Sequence, residues 1–419
     1  MEKRKSTQKK KIMKNFLAFI LLILMAHIAM NQSLDDYLDL ALKNNPDIKA
    51  AYFSFEAQLE KVEQVKFLAN PTLGFGYFIS PIETRLGSQQ TKISLNQMFP
   101  WFGTLSAAKD AASLMAEAQF EQFKNKQALL TFKVETAYYN YLEVSELLEI
   151  HYQNLNIMNS YKNMAKIAYS SGKSKNTEVL EANLMLAEIT TNVEILEQRL
   201  DLLKRSFNRL IYRPDSLDIT TTTLDIPTDF KMNKDTDSLL VNHPKITALE
   251  KQMTSAIIEE TVVRKNGLPQ IGLGLDYLII QPLDGSTVKN NGKDAMMPMV
   301  SLSLPIFRKK HQSQAREIQL YKKELTAQKT QLENNLSIEW NTTQNQLFES
   351  KAQYDLYEKR IQNSHQEITL AFSDFRVANE NFKNILEAQR DLLKFKLSQV
   401  AWKRKYAEAS AKITYLISK

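Results

Sequence analysis

An internal duplication constrains this 419-residue chain more than any other feature of its sequence. The segment Pro71-Thr-Leu-Gly74-Phe-Gly76 returns as Pro269-Gln-Ile-Gly272-Leu-Gly274, and Asn45-Pro46 returns as His243-Pro244, each 198 positions later (269 − 71 and 243 − 45). A constant separation indicates two copies of one structural unit, which must be recognised before a fold is assigned. We therefore predict the same order of elements in both halves: a helix, two strands, a long helix and a second helix.

The N-terminal segment has the layout of a secretory signal peptide. Seven basic residues lie within the first 14 positions, an apolar run follows from Phe16 to Met25, and the small residues Ala26 and Ala29 come next. This order is typical of a cleaved signal. The alternative is a retained anchor, because apolar residues continue to Met30, but the short apolar run favours cleavage. We predict a signal peptide over residues 1–30.

Most of the positive charge of the chain lies in that segment. The full sequence carries a formal net charge of +7, and removal of residues 1–30 leaves 47 basic and 46 acidic residues (54 − 7 and 47 − 1). The remaining sequence has no basic stripe of the kind that binds nucleic acid, so we predict no nucleic-acid partner. The chain has no cysteine, which excludes disulfides, thiolate catalysis and lipid attachment to a cysteine.

Catalytic and metal-binding patterns are also missing from the sequence. The five histidines have no second ligand at helical or turn spacing, and no motif joins a nucleophile to a base. Met296, Met297 and Met299 form a local cluster that could bind a soft cation, although apolar packing is the commoner role for such residues. We predict that the protein is not an enzyme and holds no cofactor or metal.

Four segments alternate between apolar and small or polar residues, the period of a strand. In the third segment Ile271, Leu273 and Leu275 alternate with Gly272 and Gly274. This pattern is typical of an outer-membrane barrel strand, apolar toward lipid and polar toward a lumen, although a half-buried hairpin in a soluble sandwich shows the same alternation. The predicted strands cover about 71–80, 91–99, 269–280 and 297–304. The predicted lumen-facing positions are Gly74, Gly76, Gly272, Gly274, Asp276, Ser301 and Ser303.

Long helical hairpins follow each strand pair. No proline occurs between Gly103 and Gly172, and apolar residues recur there at intervals of seven. This predicts a helix of roughly 100 Å that packs along partners as in a coiled coil. A helix from Ser33 to about Leu68 is predicted before the first strand. The predicted hairpins cover 104–212, with a turn near 172, and 308–418, with a turn near 378.

These elements divide the mature chain into two repeats, over 31–212 and 238–419. The segment between them, 213–237, contains two prolines and a run of threonines. Its composition is too polar and too often broken for a core element. We predict a linker there that lies across the helices, with room for one short strand.

The residues resemble the TolC-type outer-membrane efflux channels over essentially the whole mature chain. The resemblance rests on Leu38-x-x-Ala41-Leu-x-x-Asn45-Pro46-x-Ile48-x-Ala50, on the openings of the strands at Pro71 and Pro269, and on Ser303-Leu-Pro-Ile-Phe307. Weaker internal matches are Tyr169-x-x-Gly172 with Phe375-x-x-Ala378, and Leu180-Glu-Ala182 with Leu386-Glu-Ala388.

The resemblance implies a mainly α-helical homotrimer with membrane β-strands. Four strands from each chain would complete one twelve-stranded barrel in the outer membrane of a Gram-negative bacterium, continued by a periplasmic α-helical barrel. Such a protein contacts outer-membrane lipid and docks a periplasmic adaptor (membrane fusion protein) and an inner-membrane pump of the RND or ABC type. It is a passive duct for small molecules or metal ions. The alternative is a periplasmic coiled-coil adaptor or scaffold, which would carry one helical hairpin among β-rich domains.

The same resemblance implies where the duct closes and docks. The implied tip and gate residues are Tyr169, Gly172, Asp374, Phe375 and Ala378. Ala378 stands where the family favours glycine, and Asp374 is a candidate for an acidic gate that has no clear motif match. The sequence from Leu304 to Lys310 and the nearby methionines resemble the heavy-metal (CzcC/CusC-like) branch of the family.

Overall fold

The computed structural model describes residues 33–222, 226, 240–377 and 382–418. The predicted signal peptide and Ala378 therefore lie outside the described residues. The elements in chain order are α1 (Leu34–Asn44), α2 (Pro46–Gln64), β1 (Thr72–Thr84), β2 (Gly87–Phe99), α3 (Thr104–Ser170), α4 (Asn176–Leu210), α5 (Pro244–Asn266), β3 (Gln270–Gln281), β4 (Ala295–Ser303), α6 (Arg308–Val377) and α7 (Phe382–Leu416). The protein is mostly helical with one small antiparallel sheet, and no helix in the described ranges is long and apolar enough to cross a membrane.

The prediction of one helix from Ser33 to about Leu68 is wrong, because the chain breaks at Asn45. Asn45 is extended, with φ −63° and ψ 123°, the conformation that a following proline favours. Its Oδ1 atom accepts hydrogen bonds from the backbone N–H groups of Asp47 at 2.8 Å and Ile48 at 3.2 Å. Asn45 thus ends α1 and caps α2.

The repeated dipeptide has the same physical role in the second half. His243 is extended before Pro244, with φ −61° and ψ 131°, and its Nδ1 atom accepts a hydrogen bond from the N–H of Lys245 at 3.2 Å. Proline supplies a fixed φ at the first turn of α5, where no backbone donor is needed. Each half therefore has a side-chain N-cap followed by proline at the start of a helix.

The four strands form one antiparallel sheet in the order β1-β2-β3-β4. The first hairpin is longer than predicted, because β1 continues to Thr84 and β2 begins at Gly87. The pairing of β1 with β2 shifts between Tyr77 and Ile82. This irregularity contains Pro81, which cannot donate a hydrogen bond to a neighbouring strand. Pro81 and the polar residues at the start of β2 interrupt the apolar alternation, so the sequence pattern did not predict the outer part of the hairpin.

The two long helices of the hairpins are continuous, with 67 residues in α3 and 70 in α6. Residue contacts divide the chain into two compact units. The described residues of unit 1 fall within Met1–Lys49, Lys126–Leu240 and Leu336–Ser418, and those of unit 2 within Ala50–Asn125 and Val241–Asn335. Each unit contains residues of both repeats, so compact packing does not follow the sequence duplication.

Three aromatic side chains form part of the core of unit 1. The rings of Tyr37 and Tyr138 each pack on Phe207, with centroid distances of 5.3 and 6.0 Å, and all three side chains are buried. The tyrosine hydroxyls bond the chain after α4. The N–H of Thr220 donates to Tyr37 Oη at 2.9 Å, Tyr138 Oη donates to the carbonyl of Thr220 at 3.0 Å, and the N–H of Thr222 donates to Tyr138 Oη at 3.2 Å.

These bonds hold the described part of the predicted linker without a strand. Residues 213–222 form turns and irregular backbone. Backbone groups that are partly shielded from water need partners, and here tyrosine hydroxyls supply the partners that a neighbouring strand would otherwise provide. The rest of the predicted linker, apart from Ile226, lies outside the described residues.

We predict that each hydroxyl protects a different amide. Tyr37→Phe should speed hydrogen exchange at Thr220 by about fivefold, and Tyr138→Phe should do the same at Thr222, because loss of one hydrogen bond costs about 1 kcal/mol. Exchange measured by mass spectrometry on short peptides spanning 213–222 checks this. Each variant serves as the control for the other, and equal effects at both amides would contradict the assignment.

Candidate membrane-facing sheet and helical tip

One face of the sheet is a continuous exposed apolar surface. In β1 the side chains of Leu73 and Phe75 are each 74% exposed, and Ile79 is 94% exposed. Pairing places Phe75 in a row with Ile93, Tyr277 and Met296 across the other strands. Further exposed apolar side chains on this face are Leu95, Leu273, Leu275, Ile279, Val300 and Leu302. This surface spans all four strands.

The opposite face carries small and polar residues. Gly74 lies in a row with Ser94, Asp276 and Met297, and Gly272 pairs with Ser301. All seven predicted lumen-facing positions, Gly74, Gly76, Gly272, Gly274, Asp276, Ser301 and Ser303, fall on this one face. That the face lines a lumen stays a prediction.

An ion pair lies on the polar face. Asp276 is fully buried, and its carboxylate pairs with the ammonium of Lys92 on the neighbouring strand β2. A buried carboxylate needs such a partner, because removing one member of the pair leaves an uncompensated charge. Sequence analysis identified Asp276 but missed Lys92. The sequence did indicate that Lys92 lies on the polar face, because Lys92 continues the alternation of Ser94 and Asn96.

The methionines near the start of β4 do not form one cluster. Met296 lies on the apolar face, whereas Met297 and Met299 lie on the polar face, opposite Asp276 and Gly274. Met98 of β2 approaches the same face, since a Cβ added at Gly272 would lie 2.6 Å from its Sδ atom. Within the described ranges, no group of three or more His, Asp or Glu side chains is arranged to hold a metal ion.

We predict that the turn between β1 and β2 depends on Gly87. Its φ is +132°, and an added Cβ would overlap the backbone carbonyl of Gln281 and lie 2.7 Å from Ile280 Cγ2. Gly285, with φ +77°, has no atom within 4 Å of an added Cβ. Both alanine variants incur backbone strain of about 1 kcal/mol, but only Gly87→Ala adds a steric clash of roughly 1–3 kcal/mol.

Thermal unfolding of the purified protein, followed by circular dichroism, checks this expectation. Gly87→Ala should lower the melting temperature clearly more than Gly285→Ala, which is its matched control. Similar shifts for the two variants would show that the contact with β3 does not constrain Gly87.

The turn between α3 and α4 is fixed by Gly172. Its φ is +72°, a left-handed conformation that glycine adopts without penalty. The N–H of Gly172 donates to the carbonyl of Tyr169 at 3.0 Å, and the N–H of Lys173 donates to that of Ala168 at 2.8 Å. This bond pair is the Schellman motif, a common helix C-cap. Tyr169 is exposed beside it.

The predicted gate residues of the second hairpin have different surroundings. Phe375 is half-buried, and its ring lies 5.4 Å from the fully buried ring of Phe382. Asp374 is exposed, and Ala378 lies outside the described residues. The structure therefore places Phe375 in a core and leaves Tyr169 and Asp374 at the surface.

That core, here called the tip cluster, joins the ends of both hairpins. Its buried members are Met158, Tyr161, Ala165, Val179, Ala182, Met185, Ile189, Phe382, Ile385 and Leu386. The weak sequence match between Leu180 and Leu386 does not correspond to equal packing, because Leu180 is 56% exposed and Leu386 is fully buried. The two hairpins are thus inequivalent where they turn.

Buried polar side chains connect α3 with α7 near the tip cluster. The Nε2 of Gln389 donates to Asn154 Oδ1 at 2.8 Å, and Tyr161 Oη lies 3.5 Å from Gln389 Oε1. Burial raises the pKa of the Tyr161 phenol, which keeps the hydroxyl able to donate. Burial also lowers the pKa of His151, against the opposing effect of Glu188. Sequence analysis missed this group, because its members come from distant segments.

We predict that Phe375 stabilises the tip of the second hairpin. Phe375→Ala removes the contact with Phe382, and we expect a cost of about 2 kcal/mol because the ring is only half-buried. Hydrogen exchange of the peptides around 368–377 and 382–390 should speed up accordingly. Val377→Ala is the control, since Val377 is exposed on the same helix end. Equal protection in the two variants would contradict the role of Phe375.

Comparisons with known proteins agree with this geometry. A model of the outer membrane efflux protein family matches residues 37–205. A search of curated proteins found no match. The outer-membrane channel OprN superposes with a TM-score of 0.74 at 16% identity, over 92% of this chain and 89% of that chain.

Two further solved structures give the same result. VceC from Vibrio cholerae superposes with a TM-score of 0.71 at 15% identity, over 92% of this chain and 96% of that chain. CusC gives 0.74 at 13% identity, over 93% of both chains. The described chain therefore has the fold of the outer-membrane efflux channels. The predicted location in the outer membrane, with a periplasmic extension, agrees with this fold and with the matched family.

Proposed function

We propose that this protein is the outer-membrane channel of a tripartite efflux system. It acts as a homotrimeric, passive exit duct and not as an enzyme. It docks a periplasmic adaptor and an inner-membrane pump of the RND or ABC type, and small molecules or metal ions leave through it. The observation that carries the proposal is the two-faced sheet, apolar on one side and small and polar on the other.

The open edges of the sheet support a trimer. Among the residues that the structure describes, strands β1 and β4 are at the two edges and pair on one side only. In lipid every backbone group must be bonded within the protein, so a sheet there must close into a barrel. Four strands are too few to close, whereas three copies supply twelve, an even number within the range of outer-membrane barrels. The apolar face then contacts lipid, and the polar face lines the lumen.

The chemistry of the polar face supports a duct of low selectivity. Glycines and serines line it, and its buried charge is neutralised by the pair of Asp276 with Lys92. Transport energy then comes from the inner-membrane pump, and the choice of cargo lies with the partners. Thioethers of Met98, Met297 and Met299 on this face suit soft metal ions, which is the observation that favours a metal cargo and the heavy-metal branch.

The helical tip is the proposed docking and closing end, with Tyr169, Gly172, Asp374, Phe375 and Ala378 as its residues. Exposed Tyr169 and Asp374 are available to a partner, while Gly172 fixes the first turn and Phe375 packs against Phe382. The alternative function, a periplasmic coiled-coil adaptor or scaffold, does not explain a sheet whose apolar face is exposed across four strands.

Electron microscopy of the detergent-extracted protein, together with planar-bilayer recording, tests the proposal. We expect particles of threefold symmetry with a detergent belt around the strands, and discrete conductance steps in the bilayer. Particles without a belt, or bilayers that stay silent, would contradict the channel and support the scaffold.

We predict that Asp374 contributes to cation preference at the closed end. In a trimer three Asp374 carboxylates would surround one axis, and a ring of like charges concentrates counterions. Asp374→Ala should therefore lower the cation-to-anion permeability ratio by roughly threefold in single-channel recordings. Glu367→Ala is the control, because it removes the same charge from an exposed site earlier on α6. An unchanged resting conductance and selectivity in Asp374→Ala would eliminate Asp374 as a gate residue.

A further inference from the structure

A basic and apolar surface lies at the end of the sheet where the strands join the helices. We call it the collar, and define it as Trp101, Phe102 and the segment from Leu304 to His311. Ile306 and Phe307 follow the end of β4, and their side chains are 75% and 79% exposed. Phe102, after β2, is also largely exposed. The collar thus presents bulky apolar side chains from two strand ends.

Three consecutive basic residues follow the apolar part of the collar. Arg308, Lys309 and Lys310 are exposed at the start of α6. Within the described part of the chain these three side chains make no ion pair, and the next acidic residue along α6 is Glu317. The start of a helix adds a partial positive charge at the same place. The collar is therefore a site of uncompensated positive charge.

A groove connects the basic and apolar parts. Its volume is about 780 Å³, and its lining includes Arg264, Leu268, Leu304, Ile306, Arg308 and His311. Arg264 is already paired with Glu260 at 2.6 Å, which leaves Arg308 as the available guanidinium. The Nδ1 atom of His311 is buried and makes no hydrogen bond within the described residues. Among the described residues, the groove therefore contains the unpaired guanidinium group of Arg308 and the unbonded Nδ1 atom of His311, both beside aliphatic side chains.

The other end of the sheet has no such charge excess. The end of β1 and the turn after it carry Glu83 and Arg85, and the connection from β3 to β4 carries Asp284, Lys289, Lys293 and Asp294. Acidic and basic residues balance there, three of each. The positive charge is thus specific to the end that carries the helices.

We propose that the collar binds the phosphate of an anionic glycerophospholipid, such as phosphatidylglycerol, in the periplasmic leaflet of the outer membrane. This rests on the proposed function, which places the helix-bearing end of the sheet on the periplasmic side. Arg308, Lys309, Lys310 and His311 contact the phosphate, and Ile306, Phe307 and Phe102 contact the acyl chains. Basic side chains beside an apolar surface are the usual partners of anionic headgroups.

Native mass spectrometry of the delipidated full-length trimer, titrated with phosphatidylglycerol or phosphatidylethanolamine, tests the proposal. The variant Arg308→Gln/Lys309→Gln/Lys310→Gln removes the basic run. The matched control Arg85→Gln/Lys289→Gln/Lys293→Gln removes the same charge from exposed positions at the other end of the sheet. Each basic side chain near an anionic surface strengthens binding by roughly fivefold.

We expect the collar variant to bind phosphatidylglycerol at least about tenfold more weakly, since the three charges share one headgroup, and the control to change by less than about twofold. Wild-type protein should prefer phosphatidylglycerol to phosphatidylethanolamine. Equal weakening in both variants, or no preference between the lipids, overturns the proposal. Competition by inorganic phosphate at equal concentration would also overturn it, because the site would then bind free phosphate without an acyl chain. Preferential binding of lipopolysaccharide would assign the surface to the other leaflet and overturn it as well.

Planar-bilayer recording separates this inference from the proposed function. If the wild type and the collar variant both conduct but neither prefers phosphatidylglycerol, only the lipid site fails. If the wild type does not conduct at all, the proposed channel function is contradicted. The variant Phe307→Ala adds a second test, because it should weaken binding of the intact lipid severalfold and leave competition by the soluble headgroup glycerophosphoglycerol unchanged. Unchanged binding of the intact lipid by this variant would contradict the proposed contact of Phe307 with the acyl chains.

Discussion

The structure depends on a sheet that one chain cannot complete. Within the described residues the four antiparallel strands leave β1 and β4 with unpaired backbone groups at their outer edges, and one whole face of the sheet is apolar and exposed. Either feature alone occurs in soluble proteins, but together they describe a surface that would aggregate in water. In the proposed trimer both are resolved together, because copies pair edge to edge and the apolar face meets lipid. Under that proposal, the requirement to satisfy backbone hydrogen bonds in lipid links the strand count of one chain to its oligomeric state.

The sequence predicted those elements whose physical signal is local. The alternation of Ile271, Gly272 and Leu273 has the period of a strand, and Gly172 marks a helix end because only a residue that tolerates positive φ fits there. The break at Asn45 was missed, although Asn-Pro is itself a capping signal, because the apolar periodicity continues across it. Periodicity reports which face is buried and is insensitive to a one-residue kink that preserves that face.

Contacts between distant segments were not predictable in the same way. The pair of Lys92 with Asp276 needs the register of two strands that lie far apart in sequence. The bonds of Tyr37 and Tyr138 to residues 220–222 need the packing of two helices against an irregular segment. Neither depends on a motif, and single-sequence reasoning supplies no register between non-neighbouring elements. The face of each strand was predictable, whereas its partner was not.

The two repeats remain alike at positions with strict backbone requirements and differ near the ends of the helical hairpins. Both repeats retain a capped proline at a helix start and glycines on the polar face, since few residues meet those backbone requirements. The backbone of Gly172 fixes the first turn, and in the described part of the second hairpin end the ring of Phe375 packs on that of Phe382. Leu180 and Leu386 differ as well, since the first is exposed and the second is fully buried, so the packing of the two hairpin ends differs even where the sequence match persists.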